Sequence, residues 1–108
     1  MYLSMTHADL FRTLADPTRR AVFERLSAAE MSVSQLTAGF HVSQPAISQH
    51  LAALRGAGLV EERREGRHAY YRARPEGLAP LTDWVERYRN FWPGRIEALK
   101  DVLKGMDQ

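Results

Sequence analysis

Residues 42–71, VSQPAISQHLAALRGAGLVEERREGRHAYY, decide how this chain folds. Ser43 stands where a helix N-cap belongs, and Pro45 is tolerated in the first turn because its missing N–H is not needed there. Gly56 and Gly58 end the helix. At helical spacing Ile47, Leu51 and Leu54 fall on one side, which must be the buried one. The opposite side holds Pro45, Ser48, Gln49 and Ala52, with Gln44 near its edge. From residue 59 the period changes. LVEERR and RHAYYR are strand-like runs flanking Glu65-Gly66, a two-residue loop with glycine where a positive φ is wanted. Arg63, Arg64 and Arg67 surround the tip, so a nearly uncharged helix face stands beside a positively charged strand turn.

Upstream, the spacing of Met5, Leu10, Phe11 and Leu14 predicts a first helix over about residues 4–15. Asp16 can cap a second helix with Pro17 in its first turn, and Val22, Phe23 and Leu26 share one face of it. Ser27-Ala28-Ala29 closes that helix. MSVSQLTAGF (31–40) has a short extended start, then a capped turn of helix from about Ser34 that Gly39 stops. His41 and Val42 make the turn into the helix capped by Ser43. Downstream, Leu78, Leu81, Trp84, Val85, Tyr88, Phe91 and Trp92, then Ile96, Leu99, Val102 and Leu103, predict a last helix over about residues 78–104, kinked or broken at Pro93. The expected architecture is mainly α with a small β-hairpin. It is one winged helix-turn-helix domain over residues 1–108, with about five helices plus a two-stranded wing.

The totals agree with one small domain: 108 residues, 44% of them hydrophobic, allow a real but modest core. No apolar run is long enough to span a membrane, and MYLSMTHADLFRTLADP lacks the charged start and apolar centre of a signal peptide. With no cysteine there is no disulfide and no thiolate metal site. A cytoplasmic protein is the simplest reading. Charge is distributed unevenly. Residues 1–40 carry four arginines against four acidic groups, and residues 75–108 carry five basic against six acidic groups. Residues 41–74 carry six arginines (55, 63, 64, 67, 72, 74) against three glutamates (61, 62, 65). The surplus lies where a surface meeting phosphate needs it.

Short side chains on the exposed helix face let the backbone approach closely, and glutamine can bridge N6 and N7 of adenine in a major groove. The hairpin arginines suit phosphates or a narrow minor groove. The function expected is a sequence-specific DNA-binding regulator. The alternative is a winged-helix module that binds a protein, but such a surface wants aromatic anchors, which this face lacks. No serine or threonine is accompanied by a His–carboxylate pair, so an enzyme is not expected.

The chain resembles the ArsR/SmtB family of small bacterial transcriptional repressors. The residues that carry the resemblance are LADPTRRAVFERL (14–26), SVSQL (32–36), VSQPAISQHLAALRGAGLV (42–60) and EGRHAYYR (65–72). The resemblance implies a homodimer that binds an inverted-repeat operator in double-stranded DNA and blocks transcription. By position Gln44, Ser48 and Gln49 match the family's base-reading residues, and Arg64 and Arg67 match its wing. Together with the residue pattern, the expected DNA-binding set is Ser43, Gln44, Pro45, Ser48, Gln49, His50, Arg55, Arg63, Arg64 and Arg67. The resemblance also implies that the first and last helices form the dimer interface, which places Leu10, Leu14, Leu81, Trp84, Val85, Tyr88, Trp92 and Leu99 there.

The departure concerns sensing. Metal-responsive members carry a Cys-Val-Cys pair on the third helix, where this chain has Ser32 and Ser34, and serine supplies no thiolate. Other members bind zinc through histidines and carboxylates on the last helix. This one has Asp83, Glu86, Glu97 and Asp101 but no histidine there. His7, His41, His50 and His68 are scattered. WVERYRNFWPGRIEALKDVL (84–103) resembles a branch without a recognisable metal site. No metal and no cofactor is expected, and any inducer would be a small molecule of unknown identity.

Overall fold

Asp16 separates the first two helices. Its carboxylate accepts the Arg19 N–H at 2.9 Å and caps α2 (Pro17–Ala28), with Pro17 at the start where no N–H is missed. That hydrogen bond holds the Asp16 carboxyl below the usual carboxylate range. A depressed pKa stabilises the fold above the unfolded value, and the gain is lost only as pH falls through the folded one. The cap is therefore fully charged at neutral pH. The structure, a computed structural model, describes residues 7–89 and 93–106. Before α2 lies α1 (His7–Ala15); after it come β1 (Met31–Ser32) and α3 (Val33–Thr37). Ser32, not a residue near Ser34, caps α3. Its hydroxyl accepts the Gln35 N–H at 3.2 Å while the Gln35 side chain accepts the Ser32 N–H at 2.8 Å.

Ser43 caps α4 (Gln44–Gly56) by accepting the Ala46 N–H at 3.2 Å. The far end closes on two bonds: Gly58 N–H donates to the Arg55 carbonyl at 3.0 Å, and Leu59 N–H to the Leu54 carbonyl at 2.9 Å. This double closure needs a left-handed residue after the cap, and Gly58 supplies it with φ of 75°. Leu54 and Leu59, brought together by the closure, are both fully buried.

The core lies where α2, α3 and α4 meet the sheet. Val22, Phe23 and Leu26 of α2 pack with Leu36 of α3 and with Ile47, Leu51 and Leu54 of α4. Each of these large side chains contributes about 1.5–3 kcal/mol on burial. The helix that carries the exposed polar face is thus fixed from behind along its length.

Strands β2 (Val60–Glu65) and β3 (His68–Ala73) pair antiparallel, with Glu65 opposite His68. The turn is therefore Gly66-Arg67 and not the expected Glu65-Gly66. Gly66 has φ of 62° and Arg67 does not lie in the positive region, the pattern of a turn with glycine at its first central position. The wing also has a third strand. β1 pairs with β3, Met31 opposite Tyr71 and Ser32 opposite Tyr70, giving the order β1-β3-β2.

A 3₁₀ turn (Pro75–Leu78) leads to α5 (Ala79–Arg89), and Pro93 opens α6 (Pro93–Met106). The last helical stretch, expected to kink or break at Pro93, is described as two helices, with Pro93 in a first turn where no N–H is missed. The described residues hold six α-helices where about five were expected. Leu10 is fully buried within the chain's own core, so it cannot present itself to a partner. Leu14 and Leu81 are partly buried against that core. Trp84, Val85 and Tyr88 of α5 are exposed, as are Val102 and Leu103 of α6. Phe11 of α1, absent from the expected interface set, is 45% exposed and meets Trp84 edge to face at 5.3 Å. Trp92 and the side chain of Leu99 lie outside the described residues.

Candidate nucleic-acid interface

The face of α4 turned from the core carries Gln44, Pro45, Ser48, Gln49 and Ala52, all exposed. Gln44, Ser48 and Gln49 engage no protein group through their side chains among the described residues. Amide and hydroxyl groups on a rigid helix, open to solvent, are suited to base edges in a major groove. No aromatic or long apolar side chain interrupts this face. Ser43 lies at its head with the hydroxyl already accepting the Ala46 N–H.

Arg55, in the last turn of α4, extends the same face. Its guanidinium donates to Glu62 Oε1 at 2.8 Å, and Arg64 reaches Glu62 Oε2 at 3.5 Å. The Glu62 side chain is only 10% exposed, whereas those of Arg55 and Arg64 are 59% and 74% exposed. One sheltered carboxylate therefore holds two outward guanidinium groups, one on the helix and one on the wing. The Tyr71 hydroxyl donates to the oxygen that Arg64 reaches, Glu62 Oε2, at 3.3 Å. Burial, with the Glu62 charge beside it, pushes the Tyr71 phenol up, so it remains a proton donor at neutral pH. Glu62 was missed in the sequence, although counting alternate residues from the buried Val60 puts Val60, Glu62 and Arg64 on one face of β2. Arg67, at the turn, makes no ion pair among the described residues and is fully available.

Two residues of the expected set do not join this surface. His50 turns toward α2. It is partly buried, and its Nδ1 is shielded without a hydrogen-bond partner among the described residues. The helical period makes it a neighbour of Ile47, Leu51 and Leu54 rather than of Ser48. Arg63 alternates with Glu62 and Arg64, so it lies on the other face of β2, bound to Glu30 and Glu65. Arg72 and Arg74 likewise pair with Glu61.

No group of three or more His, Cys, Asp or Glu side chains that could hold a metal lies together among the described residues. Glu86, one of the α5 carboxylates, is paired with Arg89 at 2.8 Å. No helix among them is long and apolar enough to cross a membrane.

Known proteins place this geometry. Residues 16–62, from the α2 cap through α4 to Glu62, match the family described as bacterial regulatory protein, arsR family. The chain is 42% identical over 93 residues to an HTH-type transcriptional regulator of Mycobacterium tuberculosis, covering 86% of this chain and 84% of that protein. It is 43% identical over 82 residues to an arsenic resistance transcriptional regulator of Pseudomonas putida, covering 75% and 68%. A solved ArsR-like transcriptional regulator from Rhodococcus sp. RHA1 aligns with a TM-score of 0.70 at 37% identity, over 88% of this chain and 90% of that one. The chain thus belongs to the arsR family of bacterial regulatory proteins, which are DNA-binding transcriptional regulators.

Proposed function

We propose that the protein is a cytoplasmic homodimeric repressor that occupies an inverted-repeat operator, reading it with α4 and gripping its backbone with the wing. The observation that carries this reading is the open face of α4, where Gln44, Ser48 and Gln49 stand beside Arg55, Arg64 and Arg67. Amides and hydroxyls discriminate bases; guanidinium groups supply affinity that does not depend on sequence. A two-fold dimer sets its two recognition helices in successive major grooves, roughly 34 Å apart, which is why the operator is an inverted repeat. Support for the dimer comes from the apolar side chains exposed on α1, α5 and α6, a patch of the kind that marks an interface.

The test is a titration of duplexes that the chain selects from fragments of its own genome, against random duplexes, over a range of salt. About six phosphate contacts give a log–log salt slope near −5. Gln49→Ala is expected to cost about 1–3 kcal/mol on the selected duplex and little on random DNA. Arg67→Ala is expected to weaken both alike and to reduce the slope by about one per protomer. A flat salt response, or equal losses with Gln49→Ala on both duplexes, removes the reading.

Operator binding is also expected to be indifferent to zinc, cadmium and arsenite at up to about 1 µM, an affinity near −8 kcal/mol. Cadmium and arsenite need thiolate and zinc sites usually need histidine or cysteine, and this chain has no cysteine. Release then depends on a small molecule, on a partner protein or on turnover of the protein. An anisotropy titration with each ion, with and without chelator, decides it; release that the chelator reverses contradicts the expectation.

A further inference from the structure

The contact that takes Arg63 away from the nucleic-acid face is built like a clamp. Arg63 Nε and Nη2 donate to the two oxygens of Glu30, at 3.1 and 2.8 Å, a two-pronged match of guanidinium edge to carboxylate. The remaining terminal nitrogen donates to Glu65 at 2.6 Å. The guanidinium also lies over the Tyr70 ring, 4.9 Å from its centroid. One side chain is therefore held by partners from the body, from its own strand and from the strand across.

Its position gives this contact leverage. Glu30 directly precedes β1, and among the described residues β1 is the one strand that pairs with the wing from outside it, at Tyr70 and Tyr71. Arg63 faces Tyr70 across β2–β3, so the clamp lies level with the last β1–β3 pair, Ser32 opposite Tyr70. Past it, residues 64–69 have only hairpin pairing, and a lone two-stranded hairpin is marginally stable in water. The tip, with Arg67, lies four residues beyond Arg63, on the order of 10 Å, so a small rotation at the clamp moves it by ångströms. Half-exposed ion pairs contribute little to global stability unless they are bidentate or networked, and this one is both.

We infer that Glu30 and Arg63 are positioning residues: together they set the angle of the wing so that Arg64 and Arg67 meet the duplex while neither Glu30 nor Arg63 touches it. The inference rests on the DNA-binding reading of α4 and the wing. The Arg63 hydrogen bond holds the Glu30 carboxyl below the usual carboxylate range. The clamp is therefore complete at neutral pH and opens only in acid, as pH falls through that depressed value.

Electrostatics alone makes the opposite forecast, which makes the inference easy to test. The Glu30 carboxylate carries a charge that phosphate repels, so removing it should strengthen binding if charge were all that mattered. The clamp requires that Glu30→Gln weaken binding. Affinity is measured for a duplex that the unmodified chain enriches from a random-sequence pool. Glu30→Gln and Arg63→Lys are each expected to lose about fivefold to tenfold, with the salt slope lowered as Arg64 and Arg67 lose their phosphates, although Arg63→Lys keeps its charge. Arg67→Ala, which lowers the slope, is the comparison for a phosphate contact. Melting temperature is followed to show that both clamp variants fold. Equal or tighter binding by Glu30→Gln overturns the inference, as does unaltered affinity of Arg63→Lys. An equal loss from Arg63→Lys in the unmodified chain and in one already carrying Arg64→Ala and Arg67→Ala shows that Arg63 does not act through them and also overturns it. Failure of the unmodified chain to enrich any duplex sinks the DNA-binding reading itself, and the clamp with it.

Discussion

Trp84→Ala is expected to leave a folded monomer in place of the dimer proposed for the unmodified chain, with operator affinity lower by two orders of magnitude or more. Trp84 is 37% exposed, packs edge to face on Phe11 at 5.3 Å and lies 5.0 Å from Tyr88, so it ties α1 to α5 while its outer surface is open. A two-fold interface uses each residue twice, so one substitution removes two indoles from the assembly. Truncating a large aromatic side chain at the centre of an interface costs about 2 kcal/mol or more. The linkage between half-sites is lost with the dimer. Linked binding gains roughly 10²–10⁴ over a single module through effective concentration, and a monomer forgoes it. Sedimentation equilibrium reads the assembly, and titration of the selected duplex reads the affinity. Val85→Lys is the second probe. Val85 is 55% exposed, so a charge there does not disturb the core but does not fit an apolar interface. If both variants sediment as dimers, the exposed α5 face is not the contact.

Gly77→Ala is expected to be the most destabilising small substitution in the chain. Gly77 lies in the 3₁₀ turn that links the wing to α5, pressed onto the closure of α4. A Cβ there would stand 2.2 Å from the Gly58 carbonyl oxygen and 2.9 Å from its carbon, with Leu59 Cδ2 at 3.2 Å. The obstacle is backbone, so no rotamer change relieves it. Gly58 cannot retreat, because its positive φ closes α4 and the Leu59 carbonyl next to it accepts the Arg74 N–H at 2.7 Å. Either α5 lifts away or the junction of α4 with β2 shifts. Overpacking of this kind costs about 1–3 kcal/mol, and contact with backbone belongs at the upper end. For a domain of this size each kcal/mol lowers Tm by about 4–8 °C, so a fall of about 10 °C or more is expected at fixed protein concentration. Gly56→Ala is the control. Nothing lies within 4 Å of a Cβ at that helical position, and alanine is the better helix former there. Equal melting of Gly77→Ala and the unmodified chain contradicts the close approach.

Most of the helical frame was legible in the chain because its signals are local. Asp16-Pro17, Ser43 and Gly58 act on the backbone within one turn, and the spacing of Ile47, Leu51 and Leu54 fixes which side of α4 is buried whatever packs against it. The open face of α4 follows by subtraction. The failures came where a position depends on a distant partner. Either Glu65-Gly66 or Gly66-Arg67 puts glycine at a positive φ, so the turn residues allow both registers. Pairing of Tyr70 and Tyr71 with β1, whose two residues are too few to announce a strand, accompanies the register found. That register sets Arg63 across from Tyr70, and the alternation of β2 turns it toward Glu30, far away in sequence, while Glu62 goes to Arg55. The stripe on α1 likewise names Leu10 and Phe11 as apolar without saying which one the chain keeps and which it exposes. A helix carries its hydrogen bonds within itself, so its sequence can specify it. A strand, or an apolar face, is defined by what lies opposite, and only the folded chain brings that partner into place.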